Sequence, residues 1–206
     1  MLLRIDPAEP ESWLIGRVAQ ILRRGGLAVV PTDTVYAIVC LLSNQAGVER
    51  LVDVKRVTPA TRLSILVPDI ATAARFARGM GNRVFRAMRR VLPGPYTFIF
   101  LASGEVPRVL LKKRRTVGLR IPDNATIQAL LADLDEPLFA TSVRNARDEL
   151  LLDPVEIEDD LRGRVEVVID AGLVANEPST VIDVSADEPV LVRSGKGPIG
   201  ELELFS

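Results

Sequence analysis

The residues able to do chemistry in this chain are hydroxyls and cations, and they stand where strands should end. Thr32 and Thr34 follow the apolar "AVV" within "VVPTDTVYAI". Arg120 ends "TVGLR". Thr141 and Ser142 end "LFATS", Ser179 and Thr180 open "STVIDV", and Arg193 ends "VLVR". Lys55 and Arg56 follow a helical stretch. Ligands in open α/β sheets gather beyond strand ends, so these groups, brought together, would form a cationic, donor-rich site. Such a site suits a polyanion such as ATP, or a carboxylate. Each residue alone says little, because Thr and Ser at strand ends often cap the next helix and a single Arg is more often a surface group. The joint pattern carries the reading.

Composition narrows the chemistry. The 206 residues include no histidine, which excludes His general bases, His-containing triads and His metal sites. No metal-ligand cluster, Walker loop or dinucleotide fingerprint is present; "GKGPIG" lacks the spacing and the following helix. The one cysteine, Cys40, lies in the apolar "AIVCLL" and reads as a buried small hydrophobe. Net charge is −1, from 26 basic and 27 acidic residues, a balance that neither favours nor excludes nucleic acid. "MLLRIDPAEP" has no signal-like apolar core, and no run approaches the roughly 20 apolar residues of a membrane span. The expectation is a soluble, cytoplasmic, single-domain protein over 1–206, with no membrane partner.

The elements that must position these groups follow from periodicity. "ESWLIGRVAQILRRGG" places Leu14, Val18, Ile21 and Leu22 on one helical face and stops at Gly25 and Gly26. "LAVVP" is a short buried strand. "NQAGVERLVDVKR" is a helix with Asn44 as its cap, and "LSILV" is a strand. "IATAARFARGMGNRVFRAMRRVL" is two helices broken near Gly79 and Gly81. "PYTFIFLAS" and "TVGLRIP" are strands around a short helical turn in "VPRVLLKKRR". "NATIQALLADL" is a helix capped at Asn124. "PLFATS" is a strand, and Asp153 with Pro154 starts a helix in "DPVEIEDDLRG". "VEVVID", "STVIDVS" and "PVLVRSG" are late strands that follow too closely for helical crossovers. The fold class is therefore α/β with a mixed sheet. Arg108, Lys112, Lys113, Arg114, Arg115 and Arg120 form a basic stretch, either solvated surface or an anion-binding wall for phosphates or an RNA backbone. The acidic stretch from Asp148 to Asp160 reads as a charged helix.

The segments "VVPTDTVYAI", "RLSILV", "LPGPYTFIF", "VGLRIPDN", "LFATS", "EPSTVIDV" and "VLVRSGKG", in this order and spacing, resemble the YrdC-like superfamily, which includes the threonylcarbamoyl-AMP synthases of tRNA modification. Tyr96 in "PGPYTF" and Ala37 after Tyr36 resemble its YciO branch most closely. The resemblance covers about Leu14 to Gly197. It implies a twisted open mixed sheet with a concave, positively charged surface. It also implies a reaction: threonine and bicarbonate form a carbamate, which attacks the α-phosphorus of ATP and yields threonylcarbamoyl-adenylate and pyrophosphate. Such chemistry needs alignment and charge neutralisation more than a nucleophilic side chain. Mg²⁺ is implied as a companion of ATP, with no protein-held metal cage.

Carried over by resemblance, Thr32, Thr34, Arg120, Thr141 and Ser179 bind threonine. Lys55, Arg56, Ser142 and Arg193 lie on the ATP side, with Lys55 and Ser142 catalytic. Lys112, Lys113, Arg114 and Arg115 are candidates for RNA contact. Two departures fall at the chemistry. The synthases carry Lys-x-Arg and Ser-x-Asn pairs; here "KRV" puts Val57 in the arginine place and Arg56 one early, and "SVR" puts Arg144 in the asparagine place and Asn145 one late. A one-residue shift turns a side chain to the other face of an extended segment, while a loop can absorb it. Two readings therefore stand: a synthase with weakened activity, and a YciO-type protein that binds double-stranded RNA, tRNA or nucleotide without efficient synthesis.

Overall fold

The computed structural model describes residues 1–55, 63–111 and 115–205. Along the chain these form β1 (Leu2–Arg4), α1 (Ser12–Arg23), β2 (Ala28–Val30), β3 (Ala37–Leu41), α2 (Gln45–Lys55), β4 (Ser64–Leu66), α3 (Ile70–Phe76), α4 (Asn82–Val91) and β5 (Tyr96–Leu101). There follow α5 (Arg108–Leu111), β6 (Thr116–Arg120), α6 (Ala125–Leu134), β7 (Leu138–Ser142), α7 (Pro154–Asp160), β8 (Val167–Asp170), β9 (Thr180–Asp183), β10 (Val190–Arg193) and a 3₁₀ turn at Ile199–Leu202. The expected caps are made. Asn124 Oδ1 accepts from the Ile127 N–H at 3.1 Å, Asn44 Oδ1 from Gly47 N–H at 3.0 Å, and Asp153 Oδ1 from Val155 N–H at 2.8 Å. Gly25, at φ +81°, turns the chain out of α1, and Gly26 N–H donates back to the Ile21 carbonyl at 3.0 Å.

All ten strands join one mixed sheet in the order β1-β8-β2-β3-β7-β4-β6-β5-β9-β10. β8 pairs in parallel with β1 and β2, β4 with β6, and β5 with β9; the other pairs are antiparallel. The sheet cannot lie flat. β8 and β9 are seven strand spacings apart in that order, about 34 Å at about 4.8 Å each. Ten Cα steps join Asp170 to Thr180, reaching at most about 33–36 Å when straight, and Gly172 bends that link at φ +80°. Twist and curl must bring the two strands nearer.

Strands β1 and β3 go beyond the sequence reading. β3 was visible only as the apolar run around Cys40. All five of its residues are buried, because helices cover the sheet on both sides there and erase the alternation that marks a half-exposed strand. One layer, α1 with α6, packs on Ala28, Val30, Ala37, Val39 and Leu41. The opposite layer, with α2, α3, α4 and α7, packs on Val29, Tyr36, Ile38, Phe98 and Phe139. Burial pushes the Cys40 thiol up to about 12, which keeps it a neutral packing group.

Tyr36 shows how the "PTDTVY" segment is tied down. Its hydroxyl donates to the Gly172 carbonyl at 2.8 Å and accepts from the Ala171 N–H at 3.2 Å. Burial pushes its pKa up to about 12, with the Ala171 N–H opposing and Asp170 reinforcing. The folded state therefore favours the neutral phenol. That contribution is complete below the ordinary tyrosine value of about 10 and is lost as pH rises from there towards 12. Tyr36→Phe is expected to shrink the alkaline drop in urea midpoint between pH 9 and 12. Part of the drop remains, because burial also raises Cys40 and Tyr96. An unchanged alkaline drop would refute the assignment to Tyr36.

Candidate functional site

The layer of α1 and α6 covers only half of its sheet face. Beyond it the same face, carried by β7, β4, β6, β5 and β9, floors an open cleft. The pleat decides which residues reach it. Cross-strand register aligns Ala140 with Ser64, Ser64 with Gly118, and Gly118 with Ile99, so these side chains share one face. The floor is low because its residues are small. A Cβ on Gly118 would come within 3.2 Å of the Leu63 carbonyl and 3.3 Å of Thr97 Cγ2.

At one end stands the "PTDT" segment. The Thr32 hydroxyl closes the turn on itself: it donates to the Val35 carbonyl at 2.6 Å and accepts from the Thr34 and Val35 N–H groups at 3.1 and 3.2 Å. Thr32 Oγ1 and Thr34 Oγ1 lie 3.1 Å apart. Arg120 reaches this turn from the end of β6. Its Nη2 donates to Asp33 Oδ1 at 2.5 Å, to Thr34 Oγ1 at 2.6 Å and to Thr32 Oγ1 at 3.4 Å. The side chains of Arg120 and Asp33 are only 9% and 7% exposed. Burial pulls the guanidinium below its ordinary pKa, and the Asp33 charge and hydrogen bond push back. The pair is incompletely satisfied: Arg120 Nε and Asp33 Oδ2 are buried without a hydrogen-bond partner among the described residues. Asp33, between the two threonines of the turn, is thus the counter-ion of Arg120.

A second polar group faces it. Thr97 Oγ1 and Ser179 Oγ are 2.9 Å apart. Arg193 donates from Nε and Nη2 to the Ser179 carbonyl at 3.0 and 2.7 Å, and from Nη2 to Ser179 Oγ at 3.2 Å. Gly195 is required beside it, since a Cβ there would lie 2.1 Å from the Pro178 carbonyl oxygen. Lys196 then spans back to the first group, donating to the Asp33 carbonyl at 2.6 Å.

The cleft lining therefore includes Thr32, Arg120, Thr141, Ser142, Ser179 and Arg193 together. Thr34, fully buried, sits directly behind them on Arg120. Thr97, Ser64, Thr116 and the small floor residues were not anticipated from sequence; the only signal for them was alternation within strands whose neighbours were unknown. Among the described lining residues the charged ones are Arg120 and Arg193, both cationic. Lys55 is the last residue of α2, and its side chain lies outside the described residues, as do Arg56, Val57, Lys112, Lys113 and Arg114. Arg115 is exposed just before β6.

The displaced asparagine is not absorbed by its loop. Asn145 Oδ1 accepts from the Arg147 and Glu149 N–H groups at 2.9 and 3.0 Å, and its Nδ2 donates to Glu149 Oε2 at 2.8 Å. The amide oxygen and one of the two N–H groups serve the turn from 145 to 149. Arg144 pairs with Asp148, donating to its carbonyl at 2.5 Å.

Comparisons with known proteins agree on one relationship. A family model described as "Telomere recombination", Sua5_yciO_yrdC, matches residues 20–195. The Escherichia coli K12 protein YciO, itself described as uncharacterized, is 37% identical over 197 residues, covering 95% of each chain. Its crystal structure superposes with a TM-score of 0.92 over 98% of both chains. The human threonylcarbamoyl-AMP synthase is 31% identical over 194 residues, covering 88% of this chain and 68% of that one. The structure of Pyrococcus abyssi Sua5 complexed with L-threonine, 27% identical, gives a TM-score of 0.91 over 98% of this chain and 60% of the other.

Proposed function

The chain belongs to the Sua5/YciO/YrdC family, and from that premise we propose that its cleft binds L-threonine and ATP and makes threonylcarbamoyl-adenylate at a reduced rate, for tRNA N6-threonylcarbamoyladenosine. One observation carries the reading: Thr34, Arg120, Ser179 and Arg193, far apart in sequence, converge on a cleft whose described charged lining is arginine alone. Arginines in a confined site bind carboxylates and phosphates through charge-assisted hydrogen bonds. Threonine would lie between the Thr34–Arg120 group and Ser179, with Thr32 and Thr141 beside it. ATP would extend along Ser142 and Arg193 towards Lys55 and Arg56. The protein supplies alignment of the carbamate against the α-phosphorus and neutralisation of the charge that develops there. Mg²⁺ would enter with the ATP phosphates as part of the substrate; the two arginines are a donor set for the phosphates, not for the cation.

A second reading has its own observation. With Asn145 held in its turn and Arg144 in the asparagine place, the nucleotide side lacks an amide that the synthases carry. A protein so altered would hold nucleotide, or double-stranded RNA or tRNA, without efficient synthesis. Radiolabelled threonine incubated with ATP, Mg²⁺ and bicarbonate separates the two. The expected result is adenylate product and pyrophosphate above a buffer blank, at a rate well below that of a synthase relative run in parallel. No product, together with ATP binding by calorimetry, would refute synthesis and leave the binding reading.

A further inference from the structure

We infer that the exposed face of α4 is a docking surface for single-stranded nucleic acid, separate from the cleft. Residues 70–104 contain six arginines and no Asp or Glu. The chain as a whole is nearly neutral, so charge has been segregated here. α4 reads "NRVFRAMRRV". At roughly 100° per residue, Val84, Ala87, Met88 and Val91 fall on one side and Asn82, Arg86 and Arg89 on the other. The first set packs into the core, which places the arginines outward. The flanks differ. Arg83 donates to the Leu204 carbonyl at 2.7 Å, and Arg90 forms an ion pair with Glu203. Arg86 and Arg89, like Arg78 before the helix, are exposed, and their side chains have no hydrogen-bond or ion-pair partner among the described residues. Phe85, 40% exposed, stands one helical turn from Arg89.

The occupant follows from this chemistry. Unopposed guanidiniums ask for a polyanion, and arginine's fork matches phosphate. An exposed aromatic ring beside them adds a stacking platform for a base. A double helix hides its base faces, so the ring selects an unpaired strand. A lipid surface would need a broad apolar face, but apart from Phe85 the large apolar residues of α4 are buried or half-buried against the core. An acidic protein would use the arginines and leave Phe85 without a role. α4 packs on the sheet face opposite the cleft, so this surface does not depend on the reading of the cleft.

The test is fluorescence anisotropy with a labelled 12-nucleotide RNA, the same sequence as DNA, and a fully paired duplex, each across a salt series. The expected result is tighter binding of the unpaired strands than of the duplex. Phe85→Ala should weaken that binding at least about fivefold. Arg86→Gln with Arg89→Gln should reduce the salt slope by about 1.4, two contacts at about 0.7 each. ATP binding by calorimetry should be unchanged in both variants, which keeps this result distinguishable from failure of the synthase reading. The RNA and DNA arms decide the sugar preference; preference for either supports the surface. Unchanged strand binding in the variants, an equal loss of duplex binding in the same variants, or equal competition by poly-glutamate or anionic vesicles would overturn the proposal.

Discussion

Arg120→Met should lower folding stability by about 3–5 kcal/mol and abolish threonine binding. The first effect comes from what the substitution leaves behind. The Asp33 carboxylate, on a side chain only 7% exposed, loses the guanidinium that donates to it at 2.5 Å. Breaking a buried ion pair from one side costs far more than the pair contributes, because desolvation of the remaining charge goes uncompensated. Thr34 also loses the donor at 2.6 Å. The comparison that proves the mechanism is Arg120→Met with Asp33→Asn. Removing the stranded charge should recover much of the stability in urea unfolding, yet threonine binding by calorimetry should stay absent. Thr34→Val tests the site without touching the ion pair: about 1 kcal/mol of stability lost, with weakened threonine binding. If Arg120→Met unfolds at the wild-type urea midpoint, the pair does not organise this end of the cleft.

The largest change in rate is expected in the opposite direction. Val57→Arg combined with Arg144→Asn should raise kcat/KM for threonylcarbamoyl-adenylate synthesis by about 10²–10³. Each restores a contact of the synthase pattern on the nucleotide side. One charge-assisted or preorganised contact to a developing phosphoryl charge is worth about 2–4 kcal/mol of transition-state stabilisation. The structure indicates that position 144 tolerates the change. Arg144 bonds to Asp148, whose side chain is 84% exposed, and a surface ion pair of that kind contributes about 0–1 kcal/mol. Position 57 lies outside the described residues and is chosen on the sequence pattern alone. Arg144→Asn is expected to act only with Val57→Arg, because the two contacts serve one charge, so the double variant should exceed the product of the two single effects. A double variant that binds ATP normally but is no faster than wild type would show that the displaced pairs do not limit the reaction.

The elements were legible wherever local physics decides them. The caps at Asn44, Asn124 and Asp153 depend on a side chain reaching a backbone N–H two or three residues away, and that spacing is written in the sequence. The break between α3 and α4 needed only the glycines at 79 and 81. β3 escaped because a strand covered on both faces shows no alternation, and β1 because three residues are too few to carry a period. The site was legible as a set of positions and not as a set of contacts. Thr34, Arg120, Ser179 and Arg193 could be named from strand ends and from motif resemblance. That Asp33 neutralises Arg120 across 87 residues, or that Ser179 shares a hydrogen bond with Thr97 across 82, could not be. Those distances depend on which strands become neighbours.

By itself, then, the sequence determined the class of fold, the family, the helix caps and the absence of histidine-based catalysis. Each rests on residue type or on spacings within one turn or strand. Tertiary structure alone decided that, among the described residues, α1 and α6 leave part of one sheet face uncovered, that the counter-ion of Arg120 is Asp33, and that the arginines of α4 face away from the cleft. Strand order sets all three, and strand order is chosen by the summed burial of the whole sheet rather than by any local stretch.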